Sequence, residues 1–140
     1  MSEERRKRQQ EREGASDGKT KKTLTYVMVA VLVAGAFLAG KYYRDHKYDS
    51  FAKCLASKNA RMYGLYWCPH CIEQKEKFSA SFRYVPYVEC AIKDKPGELM
   101  PECKAAGAKL FPSWQFGMEP PKEGVLSLEA LSDKTGCSLP

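Results

Sequence analysis

Eighteen consecutive residues, Thr23 to Gly40, carry no charge, and nothing else in this 140-residue chain is apolar enough to bury them. As a helix rising about 1.5 Å per residue, the run reaches the lower limit for crossing a bilayer. Lys21, Lys22 and Lys41 mark its ends, and Tyr42 and Tyr43 suit the far interface. A buried core helix is disfavoured for want of an equally apolar partner segment. A cleaved signal peptide has the small residues Ala34-Gly35-Ala36 in its favour, but the length of the run and the long charged segment ahead of it favour an uncleaved anchor. The expected organisation is a disordered charged cytoplasmic tail over 1–22, a transmembrane anchor over 23–40, a tether over 41–47 and one domain over 48–140. A short solvated helix over Glu3–Glu13 is the alternative within the tail.

Basic residues orient the anchor. Residues 4–23 hold eight Lys and Arg, and residues 41–60 hold five, which places the N-terminus inside. Six cysteines in so short a chain argue independently for an oxidising compartment. The domain is therefore expected outside the cytoplasmic (inner) membrane, in the periplasm or its equivalent. The net charge of +6 divides evenly between tail and domain, and no basic face is interleaved with aromatics, so no nucleic-acid partner is expected. A structural zinc wants two close ligand pairs, and only Cys68 and Cys71 form one, so no metal or other cofactor is expected. His46, in the tether, has no ligand neighbour and reads as a surface side chain.

Cys68 and Cys71 stand in Tyr66-Trp67-Cys68-Pro69-His70-Cys71, between a strand expected over Arg61–Trp67 and a helix expected to run to Phe82. Two cysteines three apart at such a junction read as a redox pair. Pro69 suits the first helical position. Cys71, Phe78 and Phe82 then share one face, which turns Cys71 to the core and leaves Cys68 at the exposed N-terminal edge. Backbone N–H groups at the helix start favour a thiolate at Cys68. Cys68 is thus the expected nucleophile and Cys71 the resolving thiol, with Glu73 and Lys77 pairing on the outer face. His70 lies between the cysteines rather than after them, which excludes haem attachment. Its imidazole is expected to stabilise the Cys68 thiolate and so to make the disulfide form the stronger oxidant.

Around this motif the periodicity predicts a helix over Tyr48–Asn59 and a strand over Pro86–Cys90. A helix over Glu98–Ala106, a strand over Leu110–Phe116, a short strand near Val125 and a helix from Ser127 to Thr135 follow. That order resembles the thioredoxin fold, a small central mixed sheet flanked by helices, here preceded by one transmembrane helix. In that family a cis-proline opens the strand facing the redox pair and its backbone holds the substrate peptide. Phe111-Pro112, with the proline 44 residues after Cys68, matches it; a trans proline opening an edge strand is the alternative.

The likeness narrows further. Met62-Tyr63-Gly64, Trp67-Cys68-Pro69-His70-Cys71, Val85-Pro86-Tyr87-Val88-Glu89-Cys90, Phe111-Pro112-Ser113-Trp114 and the segment from Gly124 to Leu131 resemble one group. It is the small thioredoxin-like domain fused to, or accompanying, bacterial vitamin K epoxide reductase homologues. The resemblance covers residues 50–137. It implies a protein thiol–disulfide oxidoreductase that oxidises substrate thiols and passes electrons to a vitamin K epoxide reductase-like or other quinone-linked membrane partner, here a separate chain. It also implies a structural disulfide between Cys90 and Cys103. Parity then suggests a second one between Cys54 and Cys137, the alternative being a buried Cys54 thiol.

Two departures bear on direction. Met62 stands where thioredoxin has a buried Asp. Pro69-His70 is the dipeptide of strong bacterial oxidases, whose helical insertion does not fit in the 29 residues between Phe82 and Pro112. A shallow, permissive groove and the oxidising direction are expected. A reductase serving haem maturation or disulfide repair, and a thiol or copper chaperone using Cys68, His70 and Cys71, are the rival functions.

Overall fold

The structure, a computed structural model, describes residues 2–140. Its first element is one long helix, α1 (Ser2–His46). The tail expected to be disordered and most of the expected tether are therefore helical; Met1 lies outside the described residues. Glu, Arg, Lys and Gln are good helix formers, and Arg8 donates to Glu4 at 2.6 Å one turn away. The uncharged run is long and apolar enough to cross a membrane, with a mean hydropathy of 2.0 over its 18-residue window. Its side chains, Leu24, Val31 and Phe37 among them, are exposed. The chain divides into two compact units, the first ending at Tyr42 and the second spanning Tyr43–Pro140.

The second unit is a mixed α/β structure. Its elements are α2 (Asp49–Ser57), β1 (Ala60–Gly64), α3 (Pro69–Glu76), a 3-10 helix (Ser79–Tyr84), β2 (Tyr87–Glu89), α4 (Pro101–Ala106), β3 (Ser113–Phe116), β4 (Lys122–Glu123) and α5 (Leu128–Thr135). The four strands form one sheet in the order β2-β1-β3-β4. β1 runs parallel to β2, with Met62 beside Tyr87 and Gly64 beside Glu89. It runs antiparallel to β3, with Met62 beside Trp114 and Tyr63 beside Ser113. A parallel pair needs a long crossover, and α3 with the 3-10 helix supplies it. The antiparallel pairing of the two central strands brings the C-terminal end of β1 and the N-terminal end of β3 together at one end of the sheet.

Aromatic packing closes the core. The Phe78 ring lies 6.0 Å from that of Phe51 and 6.2 Å from that of Trp114. α2 buries Phe51, Ala52 and Leu55 on one face, and α5 buries Leu128 and Leu131. Ser127 caps α5 by accepting a hydrogen bond from the Ala130 N–H at 3.1 Å, and Gly136 ends it in the left-handed region at φ 71°.

Several boundaries differ from those the periodicity predicts. The active-site helix stops at Glu76 instead of Phe82, and Ser79 takes a positive φ of 51° as the chain tightens into the 3-10 helix. Phe78 still reaches the core, so its burial does not depend on a continuous helix. α4 begins at Pro101 because Leu99 is drawn into a bridge with Ala91. The strand expected near Val125 lies earlier, at Lys122–Glu123, where it pairs with Ser113 and Trp114.

Candidate active site

β1 ends at Gly64, and Leu65, Tyr66 and Trp67 form the turn into α3. Cys68 is the N-cap of α3, with extended backbone angles, and Pro69 is its first residue. Pro69 has no N–H to lose there, which fits it to that position. The Cys71 side chain faces inward and is fully buried, while Tyr66 and Trp67 are exposed. Cys68 is less open than its place at the helix edge suggests, at 8% exposure. The reason is tertiary: its sulfur lies 3.6 Å from the carbonyl oxygen of Phe111, so the segment entering β3 covers it.

That segment is held from both sides. The Phe111–Pro112 peptide is cis and Pro112 is fully buried. Ser113 Oγ donates to the Leu110 carbonyl, and the Gly124 N–H donates to the Pro112 carbonyl at 2.8 Å. Phe111 and Cys68 meet because Ser113 pairs with Tyr63, one residue before the end of β1.

Cys68 and Cys71 are the free cysteines. Cys90 is bonded to Cys103, and Cys54 to Cys137, 83 residues away in sequence. His70 is 72% exposed, with Nδ1 3.6 Å from a Glu73 carboxylate oxygen, and Lys77 approaches the other oxygen of Glu73 at 3.5 Å. The His46 ring belongs to a polar cluster with Asp49 and Arg83, away from the cysteine pair.

Behind Cys71 lies a group of residues that the periodicity does not reveal. Gly64 presses against both the Cys71 sulfur and the Tyr87 ring: a Cβ built there would lie 3.2 Å from the sulfur, 3.2 Å from the Tyr87 hydroxyl and 2.9 Å from a ring carbon. The Tyr87 hydroxyl donates to Glu89 at 2.7 Å. The other oxygen of Glu89 accepts from the backbone N–H groups of Tyr66 at 3.1 Å and Ala91 at 3.0 Å. The Lys75 ammonium stands 3.7 Å above the Tyr87 ring. A carboxylate inside the otherwise apolar run Tyr87-Val88-Glu89-Cys90 is the one local hint of this arrangement.

Burial pushes the Cys71 thiol up to about 12; the Leu65 backbone N–H opposes the shift, and the neighbouring Cys68 adds to it. Burial also raises the Tyr87 phenol, and its bond to Glu89 raises it further, so that the phenol keeps its proton. Gln74, buried on α3, fixes the helix to the chain ahead of α5. Its amide donates to the Leu126 carbonyl at 3.0 Å and accepts from the Leu126 N–H at 2.7 Å.

No protein-family model matches the chain. Over 93 residues, 64% of the chain, the sequence is 37% identical to a thiol-disulfide oxidoreductase of Arabidopsis thaliana named LTO1. The chain spans about a quarter of the length of that relative, 24%.

Proposed function

We propose that this chain is a membrane-anchored thiol–disulfide oxidoreductase of thioredoxin-like fold that cycles Cys68 and Cys71 between dithiol and disulfide. The observation that carries the reading is the pairing of two free cysteines, one at the mouth of α3 and one buried behind it, while the other four are tied in disulfides. The likeness to a named thiol-disulfide oxidoreductase supports it. The apolar run of α1 supports a single-pass anchor, and the excess of Lys and Arg ahead of it favours an N-terminus inside, with the second unit in the periplasm or an equivalent space.

In the oxidising direction a substrate thiolate attacks the Cys68 sulfur of the Cys68–Cys71 disulfide. The sulfur–sulfur electron pair leaves with Cys71, which takes up a proton. A second substrate thiolate then attacks its partner sulfur in the mixed disulfide and expels Cys68 as thiolate, so the substrate is oxidised by two electrons and the chain reduced by two. Cys68 is suited to nucleophile and leaving group because it retains access to solvent; Cys71, fully covered, is suited to resolve. The Phe111 carbonyl and Pro112 form a backbone edge against which a substrate peptide is held. The electrons pass on to a quinone-linked membrane partner of the vitamin K epoxide reductase-like kind.

The deciding experiment is the reduction potential of the Cys68–Cys71 couple together with turnover of a dithiol peptide. A value well above the roughly −270 mV of thioredoxin supports oxidation of substrates. A value at or below it overturns the direction and favours a reductase, and a chain that forms no disulfide with any thiol substrate overturns the activity itself.

A further inference from the structure

The resolving thiol has a chemical problem. Cys71 attacks or leaves as a thiolate, yet it is fully buried, and Met62, also fully buried on the adjoining strand β1, cannot take a proton. Something else must move that proton.

We propose that Tyr87 and Glu89 form the proton relay of Cys71, carrying its proton between the buried sulfur and solvent. The inference rests on the thiol–disulfide reading above and concerns the same site. Its basis is geometric. The Cys71 sulfur and the Tyr87 hydroxyl oxygen flank the same point over Gly64, each 3.2 Å from it. The Tyr87 hydroxyl already donates to Glu89 at 2.7 Å. Glu89 is only partly buried, so the path runs from a closed sulfur to a carboxylate in reach of water. The parallel register, Gly64 beside Glu89 and Met62 beside Tyr87, creates this arrangement. The missing side chain of the glycine leaves the space that both phenol and sulfur border.

The step balances in both directions. When Cys71 resolves a mixed disulfide at Cys68, its S–H proton passes to the Tyr87 oxygen while the Tyr87 O–H proton passes to Glu89. The Cys71 sulfur bonds to Cys68, and the substrate sulfur leaves with the electron pair. When substrate thiolate opens the Cys68–Cys71 disulfide, protonated Glu89 returns its proton through Tyr87 to the departing Cys71 sulfur. Tyr87 is a conduit and not a sink, since its raised phenol stays protonated at rest. The charged or titratable groups facing it are Glu89 on its own strand, Cys68 and Cys71 at the start of α3, and the Lys75 ammonium over its ring. That ammonium also favours the Cys71 thiolate.

The test uses the full chain in detergent, with glutathione in mixed disulfide at Cys68 as the probe. Release of glutathione by Cys71 is timed by acid quench and mass analysis from pH 5 to 9. Glu89→Gln preserves an oxygen for the Tyr66 and Ala91 N–H groups and an amide toward Tyr87. It is expected to slow release on the order of 100-fold near pH 6, the low end of what general base catalysis supplies, with the deficit shrinking as hydroxide takes over at high pH. Tyr87→Phe is expected to give the same profile, the double variant no further loss, and Glu89→Asp a partial return. Wild-type rates for both single variants at every pH overturn the relay, and so does a loss of equal size at every pH, which marks damage to packing. A wild-type chain that forms no mixed disulfide at Cys68 overturns the proposed function and the relay with it, so the two failures are distinguishable.

Discussion

The backbone of Gly64 lies so close to Cys71 that a Cβ added to the glycine would stand 3.2 Å from the cysteine sulfur and 2.9 Å from the Tyr87 ring. Strand end, resolving thiol and phenol are packed against one another with no room for a methyl group.

Gly64→Ala is therefore expected to destabilise the domain by about 1–3 kcal/mol, the usual cost of forcing an extra carbon into a packed core. The comparison is made by urea unfolding of the wild type and variant with the redox state held constant. An unchanged midpoint would show that Tyr87 swings aside freely.

Substitution of either free cysteine separates their roles. Cys71→Ser is expected to accumulate mixed disulfides through Cys68 with protein thiol substrates, because nothing resolves them. Cys68→Ser is expected to accumulate none, since Cys71 is fully buried. Non-reducing gels and mass analysis after alkylation read the result; adducts in the Cys68→Ser variant would reverse the assignment.

Redox state should also change how stability depends on pH. In the reduced form Cys71 is raised from an ordinary 9.0 to about 12. Between those values the unfolded chain has lost this proton and the folded chain still holds it, so stability falls as pH rises through that window. Below pH 9 the contribution is fully present. The oxidised form has no thiol at this position and lacks the decline. Thermal unfolding of both forms at pH 8 and pH 10 measures the difference, and parallel curves would contradict it.

The two structural disulfides close loops of very different length, 83 and 13 residues of separation. In the chain-entropy model, losing the Cys54–Cys137 bond costs about 4–5 kcal/mol and losing Cys90–Cys103 about 3 kcal/mol. Denaturation of the paired serine variants, Cys54→Ser with Cys137→Ser and Cys90→Ser with Cys103→Ser, gives the order; the reverse order would mean that unfolded-state structure or strain outweighs loop entropy.

Gln74→Leu keeps the bulk of a buried side chain but removes both partners of the Leu126 backbone. Each group left unpaired costs about 1–3 kcal/mol, and the docking of α3 on the chain before α5 is lost with them. A variant as stable as the wild type would show that water replaces the amide.

Residues that act through local pattern were legible in the chain itself. The uncharged run from Thr23 to Gly40 needs no partner to be read as a helix of membrane-spanning length, because charge and length alone set the cost of burying it. Cys71 is inward as the apolar spacing predicts, and Pro69 and Ser127 mark helix starts through their own backbone chemistry. Even so, α3 ends earlier than the spacing predicts. The spacing of Phe82 is helical, but the chain must turn toward β2 after Phe78, and that demand comes from outside the helix.

The surroundings of the redox pair depend on tertiary structure instead. Cys68 is covered by a carbonyl 43 residues away in sequence. Tyr87 and Glu89 reach Cys71 only because β2 pairs with β1 in a register that sets Glu89 beside Gly64. A one-residue slip would turn both side chains to the opposite face of the sheet. Sequence alone determined that two thiols stand at a strand–helix junction, since that is local chemistry. Only the fold decided which groups handle their protons, because strand register and crossover path are long-range choices that no short stretch of residues records.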